Sequence, residues 1–139
     1  MARLEFFVVS ESVSIDQTSN TVSVFNILEE IGTPQFPILI PYCAAISLWC
    51  REEADRDEDF QCTLRIIRPG GEENDISTNF RLVRPRHRMV QRIQGLQITQ
   101  AGELRFELLL NGNHAADHIV TVGQVRPIDV AGSGENLRH

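Results

Sequence analysis

No lysine occurs among the 139 residues; all thirteen basic positions are arginine. Arginine suits bidentate capture of anions, but here it is spread through every region, so the bias alone marks no site. Cysteine occurs three times, at Cys43, Cys50 and Cys62, without metal-type spacing. That excludes a fully paired disulfide framework and points to reduced thiols and a cytoplasmic location. The longest apolar run, "FPILIPYCAAISLWC", is broken by Pro37 and Pro41, and is too short to span a bilayer. The opening "MARLEFFVVSES" carries Glu5 inside its apolar run and has no small-residue cleavage site, so it does not read as a secretory signal.

Chemical signatures are also missing. There is no G-x-S-x-G elbow and the cysteines fall on strand-like segments, so no catalytic constellation, enzyme activity or cofactor is expected. A net charge of −6 and a pI near 5.2 disfavour nucleic acid and anionic membranes as partners.

What is present is period-2 alternation, with no window holding a helical apolar stripe and caps at both ends. In one segment Tyr42, Ala44, Ile46, Leu48 and Cys50 share a face, with Ala45, Ser47, Trp49 and Arg51 on the other. In the next, Phe60, Cys62, Leu64 and Ile66 oppose Gln61, Thr63, Arg65 and Ile67. Further strands are expected at 4–9, 21–28, 76–83, 88–98, 103–111 and 116–124, with Gly95 interrupting one of them as a bulge would. Turn signals separate them at "RPGG", "TQAG" and "NGN". The pattern predicts one all-β domain over 1–130, an antiparallel β-sandwich of about eight strands, immunoglobulin-like or C2-like, followed by a loosely held tail at 131–139.

The order "VFNILEEIGTPQFP", "TLRIIRPGG", "GLQITQAGELRFELLLNGN" and "HIVTV" resembles a family of short bacterial β-sandwich proteins of unknown function. Shared phrases are an apolar strand ending in FP, a strand followed by PxG, and a closing G-x-(Y/L)-x-F-x-L-x-x-(N/D)-G hairpin. The resemblance covers roughly residues 4–122. It rests on turn and core positions, so it implies the fold and carries over no catalytic residue. Leu104 stands where many members have an aromatic, a difference of packing.

Three candidate sites follow. The stretch "RPRHRMVQR" holds Arg84, Arg86, Arg88 and Arg92 without an acid, while "REEADRDED" holds Glu52, Glu53, Asp55, Asp57, Glu58 and Asp59 against Arg51 and Arg56. Alternating hairpins put both at one end of the sandwich, where the charges offset each other and no aromatic interleaves the arginines for base stacking. Asp55, Asp57 and Asp59 form D-x-D-x-D, a hard-cation pattern. An EF-hand would need Gly and Glu where the chain has Phe60 and Ile66, which leaves a C2-like calcium module built on loop 52–59 as the alternative function. His114 and His118 are four apart, on one face of a strand but about 13 Å from each other, too far to share zinc. His87 could approach His114 at the loop end.

The third site is a face. A symmetric 42–67 hairpin sets Cys50 opposite Cys62, Trp49 opposite Thr63, Ser47 opposite Arg65 and Ala45 opposite Ile67. Its outward side, with Trp49, Ala45, Arg65 and Ile67, is then apolar and aromatic and needs cover. Two occupants fit: a second copy or other protein partner, or the 29–41 connection folding back. The expected function is a non-enzymatic binding or assembly module.

Overall fold

A computed structural model describes residues 2–53 and 58–126; the tail expected at 131–139 lies outside them, as do Asp55 and Asp57. Nine strands form: β1 (Arg3–Ile15), β2 (Val22–Ile27), β3 (Glu30–Thr33), β4 (Ile38–Cys50), β5 (Asp59–Ile67), β6 (Glu73–Arg81), β7 (Arg86–Ile98), β8 (Gly102–Leu110) and β9 (Asn113–Gln124). They make two sheets, β2-β1-β4-β7 and β3-β9-β8-β5-β6, a β-sandwich. Among the described residues no helix is long and apolar enough to cross a membrane.

Local chemistry explains the turns. Asn111 and Gly112 both take positive φ, 50° and 83°, as a two-residue hairpin turn between right-twisted strands requires. Gly95 has φ 72°. On one side of it Leu96 and Ile98 join the core, and on the other Met89 and Ile93 do, so the inward-facing residues change phase at that glycine. The expected interruption is there, and its effect is to switch faces.

Three expectations are corrected. Residues 42–67 are no hairpin: β4 pairs with β1 and β7, whereas β5 pairs with β6 and β8 in the other sheet. The chain therefore changes sheets between β4 and β5, and Cys50 and Cys62 are not opposite each other. Strand β3 forms inside the stretch taken as a connection, and it pairs parallel with β9, so the sandwich is not wholly antiparallel. The inner face of β4 is also the reverse of that expected: Cys43, Ala45 and Trp49 belong to the core cluster, while Ala44, Ile46 and Cys50 do not. Both faces of β4 are apolar, so hydrophobicity could not choose between them. The indole could, because the inter-sheet space beside Phe80 accommodates it. For β5 the expectation holds: Phe60, Cys62, Leu64 and Ile66 are core residues.

Candidate functional site

The outer faces of the two sheets differ in kind. On the larger sheet, Asp75, Arg65, Glu107 and Asp117 fall in register across β6, β5, β8 and β9. Arg65 donates to Asp75 at 3.0 Å and lies 3.8 Å from Glu107, and Arg105 lies 3.9 Å from Asp117. This is a face built for water, and Arg65 is placed there. Ile67 ends the same strand, half-buried. Trp49 and Ala45, expected beside them, are each 1% exposed. They point between the sheets, and Trp49 donates to the Ser47 hydroxyl at 3.1 Å. The four residues do not form one face. What buries Trp49 is the opposite sheet, so neither a second copy nor the 29–41 connection is needed to cover it.

The outer face of the smaller sheet is apolar at its centre. Val8 and Val90 stand directly opposite Ile46 on its two flanks, and Phe6 stands opposite Leu48. Ala44 and Ile46 are nevertheless 0% exposed. Their cover is supplied by the β1–β2 hairpin. Arg88 on β7 donates to the carbonyl of Asn20 at 3.1 Å and to its side-chain oxygen at 2.9 Å. Because β4 lies between β1 and β7, the 16–21 turn reaches Arg88 only by passing over β4. Asp16 shapes that turn by accepting from the amides of Thr18 and Ser19; these hydrogen bonds, Ser19 first, lower its pKa. Asp16 is thus committed to its own turn.

The arginine stretch is a strand, not a loop end. Arg86, Arg88 and Arg92 share the outer face of β7, opposite Cys50, Leu48 and Ala44, and Arg84 sits in the bend before it. Each strand arginine has a local partner: Glu5 for Arg86 at 2.9 Å, Asn20 for Arg88, and the Tyr42 hydroxyl for Arg92 at 3.3 Å. Glu5, at the register break between Leu4 and Phe6, also accepts from the Cys50 thiol at 2.6 Å. The Cys50 hydrogen bond, then Arg86, hold its carboxyl below the usual range. Arg51 donates to the Pro85 and Val83 carbonyls, and Glu52 and Glu53 follow it, exposed. Of the D-x-D-x-D acids only Asp59 is described. It opens β5 and is bound by the Arg81 guanidinium, whose hydrogen bond and charge lower its pKa.

Histidines separate rather than gather. His118 binds the Leu28 carbonyl at 2.6 Å and lies edge-on to Phe7 and Phe106, whereas His114 joins Glu107 at 2.8 Å and lies 3.9 Å from Asp117. The register break between Leu108 and Leu109 puts the two histidines on opposite faces, correcting the single face expected. Glu107, His114 and Asp117 bring ligand atoms within 4.8 Å of one another, but Arg65 and Arg105 already stand at both carboxylates. His87 stacks on Phe80 at 4.9 Å.

Among the described residues four strands form the edges of the sheets: β2 and β7, β3 and β6. An exposed edge invites pairing, and proteins blunt it with charge or brevity. Strand β7 carries the arginine row, β6 carries Glu73, Asp75 and Arg81, and β3 is four residues long. Strand β2, "VSVFNI", has no charge and no proline. It exposes Phe25 by 49% and Ile27 by 44%. One residue on, Leu28 begins a groove of about 520 Å3 lined mainly by Ile31, Ile38, Leu39, Ile40 and Tyr42, with Glu11 and Ser12 of β1 at its side. This region was missed as a site, although its signal was legible: it is an apolar strand with β-branched residues and nothing to repel a partner.

No curated protein matches the chain. A solved structure described as an immunoglobulin-like protein from Pseudomonas aeruginosa is similar to it, with 12% identity, a TM-score of 0.42, and coverage of 88% of this chain and 96% of that one. The family described as "Family of unknown function (DUF6941)" matches residues 5–122, and the chain belongs to that family.

Proposed function

We propose that this chain is a non-enzymatic binding module that works through the β2 edge and the apolar surface next to it. One observation carries the reading: of four sheet edges, three are charged or very short and the fourth is an uncharged strand displaying Phe25 and Ile27. Pairing a strand onto such an edge satisfies main-chain groups by hydrogen bonding, and the exposed side chains add apolar burial. The acidic net charge of −6 supports a protein partner over nucleic acid. Three buried free thiols support a reducing, cytoplasmic setting.

A photo-crosslinking side chain placed at position 25 tests the reading in the native host. A discrete covalent adduct from position 25, absent when the same group sits at Glu103 on the other sheet, is expected. Equal labelling from both positions, or none from either, overturns it.

A further inference from the structure

We infer that the partner at the β2 edge is a second copy of this chain, its β2 running antiparallel to the first about a two-fold axis. This rests on the binding reading above and names its occupant. The β1–β2 ribbons of the two copies then join edge to edge across the pair.

Strand β2 pairs with β1 alone among the described residues, so its other edge presents unpaired amides and carbonyls. Those of Val22–Phe25 precede Asn26, whose φ of 58° departs from extended geometry although β2 stays paired with β1 as far as Ile27. An antiparallel two-fold satisfies such groups reciprocally, since each copy offers the donors and acceptors the other lacks. Valine and phenylalanine favour this geometry.

Side chains then select the copy. A two-fold places like residues near like, which penalises any edge carrying one sign of charge. Strand β7 would set its arginine row against itself. In β6 the charges are already committed within the chain, Arg81 to Asp59 and Asp75 to Arg65. In β2 there is no charge to repel its own image, and Phe25 meets the partner's Phe25 region with apolar surface on both sides. One acid, Glu11, lines the groove beside β2, and the Asn26 side-chain amide donates to it at 2.8 Å. The groove beginning at Leu28, with Leu39 60% exposed, continues the apolar contact past the paired strands. The paired segment is short, so the dimer is weak and concentration-dependent, below the size of permanent interfaces.

Sedimentation of the purified chain from micromolar to near-millimolar concentration is the test, with three variants. The wild type is expected to pass from monomer to dimer, and Phe25→Lys and Phe25→Glu to remain monomeric when run alone. An equimolar mixture of the two variants should associate again, because the two-fold brings opposite charges together; mere loss of an apolar contact would give no such rescue. Ile119→Lys, at an exposed apolar position on the other sheet, should behave as wild type. Far-ultraviolet circular dichroism checks that each variant is folded, and Ser23→Lys on the same exposed face replaces any that is not. A wild type that stays monomeric, or a Phe25→Lys chain that still dimerises, overturns the inference. A monomeric wild type that still gives a position-25 adduct of mass other than twice the chain would leave the binding reading standing with a different partner.

Discussion

The indole of Trp49 and the ring of Phe80 meet across the sandwich with centroids 6.0 Å apart, and this contact ties β4 of one sheet to β6 of the other. Trp49 is therefore a core residue. Trp49→Ala should cost about 3–5 kcal/mol in urea denaturation. Trp49→Glu should fail to fold rather than yield a folded monomer; a folded, merely dissociated Trp49→Glu chain would contradict the burial.

The two hydrogen bonds from Arg88 to Asn20 hold the β1–β2 arm over β4. Arg88→Ala should speed amide hydrogen exchange across residues 12–25 while leaving β8 protected, because local opening draws on few contacts there. Unchanged exchange would mean that the arm is held by its apolar side alone.

Stability should fall with acid in a window set by His87. Desolvation by burial holds its pKa below the ordinary 6.5, so below pH 6.5 the unfolded chain binds the proton that the folded chain refuses. Stability declines as pH falls through that value and stops declining once the folded-state pKa is passed. Melting temperature measured between about pH 7 and pH 5 should drop, and His87→Phe, which keeps the stack on Phe80, should flatten the drop.

Thiol chemistry gives a separate check. Burial pushes Cys43 up to about 11 and Cys62 up to about 12, so neither supplies a thiolate near neutrality. In the folded chain both should resist a disulfide reagent, and both should react after denaturation. Labelling of Cys62 under native conditions would place it elsewhere than between the sheets.

Calcium should leave the melting temperature unchanged. The Asp59 carboxylate is bound by Arg81, and an ion binding only the folded state would raise the transition. A calcium-dependent rise lost in Asp57→Asn would restore the C2-like alternative.

Much of this architecture follows from the chain's own pattern. Alternation marked every strand except β3, the Asn111–Gly112 turn chose its hairpin geometry, and Phe60, Cys62, Leu64 and Ile66 were assigned to the core because the other face of β5 is largely polar. The charge-free stretch that becomes β2 was equally visible. What alternation cannot do is choose a face when both are apolar, and in β4 Ala44 and Ile46 compete with Ala45 and Trp49 on equal terms. Nor can a period of two say which sheet a strand joins, whether 30–33 pairs parallel with a strand some ninety residues later, or that a hairpin arm bends back over its own sheet. Those outcomes depend on contacts between residues distant in sequence: Trp49 with Phe80, Arg88 with Asn20, Glu30 with Thr121. The sequence by itself determined a two-faced β domain with one unguarded strand; the packing of the two sheets decided that this strand would be left at an edge.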